Sequence, residues 1–391
     1  MLSVPEIQAA LRDYACDGWL IYDFRKSNPL ARRVLQLDDA GHSTRRWMYF
    51  IPAQGEPRKL VHRIESGALD HLPGEKIVYL RWQEFEAGVQ SLVQGHRKVA
   101  LEYAPRNSNP YVSRVDAGTI ELVRSFGTEV VSSGNLVQMF ESRWDSEQWQ
   151  LHLQAGDVTN AAFALVWQFI ADEIRERGQT TEQTVQQQIL AHFARNGVVT
   201  DHAPIVAVNS HAGDPHYETG TTEIRPGDLV LVDLWAKVDH PKGVFSDLTR
   251  MGYVGATVPA KYAEVFAIVA AARDAGIQCV RDAFAEQRPL QGWEVDDATR
   301  GVIDRAGYGA AFVHRTGHSI GRETHGNGAN MDNLETHEER LVLPGCCFSI
   351  EPGIYLPEFG IRSEINVFVG QDRTVHVTAG EVQTAIQPIV V

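Results

Sequence analysis

Leu229-Val-Leu-Val-Asp-Leu-Trp-Ala236 is a run of β-forming apolar residues interrupted by a single acid, Asp233. A short Val- and Leu-rich run of this kind predicts a buried strand. An ionised carboxylate inside it costs several kcal/mol or more unless a cation or hydrogen bonds compensate it. Fourteen residues later Asp247 stands in Ser246-Asp-Leu-Thr-Arg250, beyond a loop containing Asp239-His-Pro-Lys-Gly243. The spacing predicts two arms of a hairpin joined by that loop. The anomaly recurs at Glu351, after Cys346-Cys-Phe-Ser-Ile350, and at Glu364, before Ile365-Asn-Val-Phe-Val369. Thr316-Gly-His-Ser-Ile-Gly321 adds a glycine-flanked histidine, His318. Apolar strands carrying one acid each, with one such histidine, predict an oxygen-rich metal site assembled on a β-sheet.

Charge sharpens that reading. Asp233, Asp247, Glu351 and Glu364 with a neutral His318 carry −4, which two divalent cations cancel. One cation leaves mutually repelling acids. Carboxylate oxygens with a single imidazole suit Mn²⁺, with Co²⁺ or Zn²⁺ as alternatives. Strand parity agrees: residues 362, 364 and 366 share one face of an extended segment. Ile361, Ile365, Val367 and Val369 fall on the other, apolar face. Any one of these acids alone reads as a surface turn or an ordinary salt bridge; the five residues together, in order and context, do not.

In these contexts the ordered set Asp, Asp, His, Glu, Glu resembles that of the pita-bread metallopeptidases. This family includes methionine aminopeptidase, aminopeptidase P and Xaa-Pro dipeptidase (prolidase). His314-Arg-Thr-Gly-His318, Glu351-Pro-Gly-Ile-Tyr355 and Arg362-Ser-Glu364 resemble its proline-specific branch, and the likeness covers roughly residues 146–391. It implies that Asp233 binds one ion, that His318 and Glu351 bind the other, and that Asp247 and Glu364 bridge both. A water or hydroxide between the ions would attack the peptide carbonyl, with Glu351 shuttling a proton to the leaving nitrogen. By the same resemblance His216 (in Asp214-Pro-His-Tyr217) and His325 are catalytic histidines, and His314 belongs to the prolyl pocket. Arg362, and less directly Arg340, are placed as contacts for a carboxylate of the site or of the substrate. His202, His211, His240 and His337 read as structural or surface residues. Two departures stand out: Ser319 occupies a position often Gly, and Ile365-Asn366 replace a more usual Asp-Thr after Glu364.

The fold implied is mixed α/β (α+β): an N-terminal α/β domain over residues 1–135, a linker at 136–145, and a catalytic pita-bread domain over 146–391 with a curved antiparallel sheet and outer helices. Local signals support several elements. Ser3 with Glu6 caps a first helix; residues 46–51 and 58–64 flank a hairpin turn; 113–124 is helical. In the second domain, helices are expected over 146–177, from Thr180 (capped with Gln183) to Asn196, through 262–275 and over 294–306.

The 391 residues are 43% hydrophobic and 22% charged, with 50 acids against 36 Lys and Arg and a net charge of −14. That composition is ordinary for a globular protein, and without a basic run it argues against nucleic acid as a partner. Cys16, Cys279, Cys346 and Cys347 form neither a CxxC pair nor a disulfide framework, so reduced thiols and a cytoplasmic setting are expected. No signal-peptide pattern or membrane-spanning run is evident. The expected activity is hydrolysis of Xaa-Pro bonds in small peptides, most simply dipeptides, by a homodimer of the kind the resemblance implies. Alternatives are aminopeptidase P action on longer peptides, a non-catalytic pita-bread binding module, or a metal-independent creatinase-like hydrolase.

Overall fold

The computed structural model describes residues 3–37 and 41–391. The chain divides into two compact units, Met1–Glu141 and Ser142–Val391.

The first unit is built on a six-stranded sheet in the spatial order Glu75–Tyr79, Arg58–His62, Trp47–Pro52, Gly18–Asp23, Lys98–Leu101 and Glu129–Ser132. Trp47–Pro52 and Arg58–His62 are the expected hairpin. Alternation along the central strands feeds two cores: Trp19, Ile21, Tyr49 and Ile51 enter one, Leu20, Tyr22, Met48 and Phe50 the other. The first helix, Val4–Asp13, starts at Ser3, whose hydroxyl accepts from the Glu6 amide. The helix expected over 113–124 is Ala117–Ser125, because Asp116 caps it by accepting from the Thr119 N–H at 2.9 Å. Helix Trp82–Val93 and strand Glu75–Tyr79 escape the sequence reading; most of that strand is exposed, so it shows no apolar alternation. The first residues of the stretch read as a linker belong to helix Gly134–Glu141, because Leu136 and Val137 are apolar and join this unit's core.

The second unit opens with helix Ser146–Arg177, fixed at one end by a reciprocal Asp145–Gln148 cap and at the other by Gly178 at φ +82°. Phe163, Val166 and Ile170 on this helix pack on Val230, Val232 and Leu234 of strand Leu229–Val238. The opposite parity of that strand, Leu229 and Leu231, packs on Tyr262, Val265, Phe266 and Val269 of helix Ala260–Ala285. The strand is thus covered on both faces, and Asp233 belongs to the second. Helix Glu182–Arg195 is capped by Thr181, which accepts from the Thr184 N–H, rather than by Thr180 as expected. Helix Gly292–Arg305 completes the set described here.

Leu229–Val238 and Ser246–Val254 form the expected hairpin, in register from Leu229↔Tyr253 to Ala236↔Ser246. The joining loop forms its tip, where Lys242 bonds Asp145 at 2.8 Å and Glu147 at 2.7 Å. A second antiparallel sheet runs Ser319–Ile320, Cys347–Ile350, Ile365–Val369, Val375–Thr378, and Gly353–Tyr355 pairs with Gly360–Arg362. No helix among the described residues is long and apolar enough to cross a membrane.

Candidate metal centre

Register places the first two acids. Asp233 lies opposite Thr249, and Trp235 opposite Asp247. Directly opposed residues share a face of an antiparallel pair, and so do residues two apart on one strand. Asp233, Trp235, Asp247 and Thr249 therefore project to one side, away from the helix core beneath Val232 and Leu234.

The other acids sit where the chain changes sheet. Glu351 follows strand Cys347–Ile350 and precedes Pro352-Gly353, which starts the next strand pair. Glu364 lies between Gly360–Arg362 and Ile365–Val369, outside both strands. Its amide donates to the Thr249 carbonyl at 3.2 Å, and Thr249 Oγ1 donates to Glu364 Oε2 at 2.8 Å. The same Thr249 hydroxyl accepts from Arg362 Nε at 3.0 Å. Arg362 Nη2 then reaches Asp233 Oδ2 at 2.5 Å. The single apolar face expected for this segment is divided: the strand breaks at Ser363 and Glu364, so Ile361 joins one core while Ile365, Val367 and Val369 join another.

His318 closes the set. Its Nε2 is 3.5 Å from Asp247 Oδ2 and 3.4 Å from Glu351 Oε1. Its Nδ1 lies 3.2 Å from the Ser319 carbonyl, which can only accept, so the proton is on Nδ1. Nε2 then turns a lone pair toward two carboxylates. That arrangement is repulsive by itself and becomes favourable with a cation between the three groups. Ligand atoms of Asp247, His318 and Glu364 all fall within 4.8 Å of one another.

Electrostatics give the same account. Burial pushes the Asp247 and Glu364 carboxyls well above their ordinary range, and their acidic neighbours push further. Burial takes Asp233 up to about 7, with Arg362 opposing it. Glu351 is held low: burial raises it, but His318, His314 and Arg362 outweigh that. Burial also pushes His318 below the usual imidazole range. Asp233 Oδ1 and Glu364 Oε1 are buried with no hydrogen-bond partner among the described residues. Acceptor-only oxygens in that state fit cation ligands and fit little else. Arg362, expected as a contact for an acid of the site, offsets one of the four negative charges, which the charge count from sequence left out; one divalent ion leaves the set at −1 and two leave it at +1.

The remaining expected residues divide. His325 is exposed, but its ring stands 4.3 Å from that of His318 at 66°, and His318 first, then burial, pushes its pKa down to about 3. His314 Nδ1 lies 2.7 Å from the Arg315 carbonyl and its Nε2 2.6 Å from the Tyr355 hydroxyl. The carbonyl fixes the proton on Nδ1, so Tyr355 donates to Nε2 and accepts from Arg362 Nη1 at 3.2 Å. Burial holds His314 down to about 4 and Tyr355 up to about 12.

His216 and Arg340 are not brought into this network. His216 is exposed, and among the described residues only its backbone N–H is bonded, to Asp214 Oδ1 at 2.9 Å. Its neighbours His211 and Tyr217 stack at 4.4 Å and both bond the buried Glu182, at 2.9 and 2.7 Å, which organises this loop instead. Arg340 departs from the expectation of a substrate contact. Its guanidinium is buried, gripping Glu338 at 2.9 and 2.5 Å and the Asn327 carbonyl at 2.8 Å.

Three further residues of the site were not expected there as site residues, although Asn366 stood out as a departure from the resemblance. Thr249 links Glu364 to Arg362. Ser349 accepts from the His318 N–H at 2.9 Å and donates to Glu351 Oε1 at 3.1 Å. Asn366 accepts from the Asp247 N–H at 3.0 Å and donates to the Asp247 carbonyl. Only the parity of position 366 with Arg362 and Glu364 hints at its place.

Comparison with known proteins gives a concordant picture. A family model described as metallopeptidase family M24 matches residues 150–371. The chain is similar to the probable dipeptidase PepE of Mycobacterium tuberculosis, 28% identical over 87% of this chain and 85% of that one. It is also similar to the Xaa-Pro dipeptidase of Lactobacillus delbrueckii subsp. lactis, 30% identical over 54% of this chain and 53% of the relative. Among solved structures, dipeptidase PepE from Mycobacterium ulcerans superposes with a TM-score of 0.67 at 22% identity, covering 99% of this chain and 97% of that one. The α/β architecture is that of the pita-bread fold.

Proposed function

Because the chain belongs to metallopeptidase family M24, we propose that it hydrolyses Xaa-Pro bonds, with dipeptides as preferred substrates. The carrying observation is that ligand atoms of Asp247, His318 and Glu364 lie within 4.8 Å of one another, with His318 Nε2 facing the carboxylates of Asp247 and Glu351. In this reading Asp233, Asp247, His318, Glu351 and Glu364 would hold two divalent ions. Mn²⁺ suits this oxygen-rich set, with Co²⁺ and Zn²⁺ as alternatives. When bound, the metal would supply Lewis-acid activation of the scissile carbonyl and of the attacking water.

The chain's own residues supply the rest. Glu351 is the least buried of the four acids and nearby Arg362 favours its ionised form, so it can accept a proton and pass it to the leaving nitrogen. Like any amide nitrogen, the prolyl nitrogen must gain a proton to depart as an amine, and Glu351 is placed in this reading as its donor. His325 lies beside His318 at the exposed rim, placed to meet the substrate or the developing oxyanion. His314 and Tyr355, tied to one another, offer rigid ring surfaces against which a pyrrolidine can lie. The first unit serves as a scaffold, and the protein works in the cytoplasm as a homodimer.

The relative named as an Xaa-Pro dipeptidase supports the choice of substrate. The test is hydrolysis of an Xaa-Pro dipeptide, its Xaa-Ala counterpart and an Xaa-Pro tripeptide by protein reconstituted separately with Mn²⁺, Co²⁺ and Zn²⁺. The Xaa-Pro dipeptide is expected to have the highest kcat/KM. A better tripeptide makes the enzyme an aminopeptidase P; a better Xaa-Ala dipeptide removes the proline reading.

A further inference from the structure

We infer that Ser349 and Asn366 are a matched pair of positioning residues that assembles the metal centre before any ion arrives. This rests on the reading of the acid cluster as a divalent-metal site. The two residues are direct partners on the antiparallel strands Cys347–Ile350 and Ile365–Val369, and both are fully buried. Each holds a different part of the cluster.

Asn366 acts on Asp247. Its Oδ1 accepts from the Asp247 N–H at 3.0 Å while its Nδ2 donates to the Asp247 carbonyl oxygen. The N–H can only donate and the carbonyl only accept, so the orientation of the carboxamide is fixed. One side chain thereby makes the two bonds that a neighbouring strand would make. The topology explains the need. Strand Ser246–Val254 pairs with Leu229–Val238 along one edge, but on its other edge Gln387–Ile389 reaches only Gly252, Tyr253 and Val254. Among the described residues no strand pairs with that edge beside Asp247, and buried peptide groups left unpaired are costly. The Asn366 carboxamide fills the gap, and two residues earlier the Glu364 amide bonds the Thr249 carbonyl at 3.2 Å. The spacing of Asp247 from Glu364 is set by these bonds.

Ser349 acts on the other half. Its hydroxyl accepts from the His318 N–H, so its single proton is free for Glu351 Oε1. It locks the backbone of one ligand to the carboxylate of another. Between them the pair touches Asp247, His318 and Glu351 and borders Glu364. Four buried acids repel one another, and these neutral groups hold them together without adding charge.

The test is cobalt titration of metal-free protein, followed by calorimetry and by the visible d–d spectrum, with thermal melting of the metal-free forms as a check on folding. Asn366→Ala and Ser349→Ala are expected to bind cobalt roughly 10- to 100-fold more weakly, the usual effect of removing a group that orients a ligand. Their d–d bands should shift, and kcat should fall with KM little changed. Ser349→Thr keeps the hydroxyl and should restore wild-type binding. Asn366→Thr can make only one of the two bonds and should fall between wild type and Ala; it carries the test if Asn366→Ala does not fold. Wild-type affinity and an unaltered spectrum in both alanine variants overturn the inference. Failure of the wild type itself to bind cobalt overturns the underlying reading of the site.

Discussion

Arg362 and Asp233 are joined by an ion pair, Nη2 to Oδ2 at 2.5 Å, in which both side chains are buried. The other guanidinium nitrogens are also engaged, Nε with Thr249 and Nη1 with Tyr355. A cation so committed acts first on the cluster: it favours the ionised form of Asp233 and orients that carboxylate. Its value to a substrate carboxylate is secondary, because no nitrogen is left without a partner.

Arg362→Met is therefore expected to reduce kcat and metal occupancy by roughly 10- to 100-fold, the range for a group that orients a ligand. The ratio of KM for an Xaa-Pro dipeptide to KM for its C-terminal amide should stay where it is in the wild type. Kinetics on the acid–amide pair checks this. Collapse of that ratio in the variant, with metal content intact, would assign Arg362 to the substrate instead.

Gly317 sets the approach of His318. A Cβ at position 317 would overlap the backbone carbonyl of Ser349, which belongs to the strand pairing with Ile365–Val369. Backbone cannot swing away as a side-chain tip can. Gly317→Ala is expected to destabilise the protein by about 1–3 kcal/mol or more, the cost of overpacking, and to lower metal content. Chemical denaturation and metal analysis on the same sample measure both.

Asp233, Asp247, Glu351 and Glu364 were legible because burial of an acid in an apolar run is an anomaly that one chain reveals by itself. Hairpin pairing of the first two was legible as well, from the turn residues between two apolar arms. Ser349 and Asn366 were not. They act on residues 31 and 119 positions away through backbone groups, and a lone Ser or Asn on a buried strand carries no mark of that partner. Arg340 misled because its charge drew attention, whereas Glu338, two residues before it, neutralises it locally. In the first unit, Glu75–Tyr79 is an exposed edge strand that pattern alone could not separate from a loop.

The metal-free protein should show an inverted pH response. Asp247 and Glu364 have folded-state pKa values raised by burial, and Asp233 reaches about 7. For an acid raised in this way, the protonated form is the one the fold prefers. Its contribution to stability is complete below the ordinary carboxylate range, about pH 4, and is lost as pH rises through the folded value. Glu364→Gln fixes the neutral form. With metal chelated, the variant should melt higher than the wild type at pH 8, and the difference should shrink toward zero as pH falls to about 4. Melting curves across that range decide it; a gap independent of pH means that Glu364 does not titrate with folding. With metal added the order should reverse, because the variant has lost a ligand.

His325→Ala separates chemistry from metal binding. The His325 ring meets that of His318 edge-on at 4.3 Å, yet it is exposed, whereas Asp233, Asp247, His318 and Glu364 are buried. A ligand of a buried pair of ions is expected inside the cluster; a group that meets substrate is expected at the rim. With its pKa pushed down, the imidazole is neutral over the working range and serves as a hydrogen-bond partner that carries no charge. Removing it should leave metal stoichiometry and the cobalt spectrum close to wild type while lowering kcat by roughly 10²- to 10³-fold, the scale for losing one donor to a developing oxyanion. A spectrum that changes along with loss of an ion would make His325 part of the metal cage. Unaltered kcat would make it a bystander whose ring contact with His318 is packing alone.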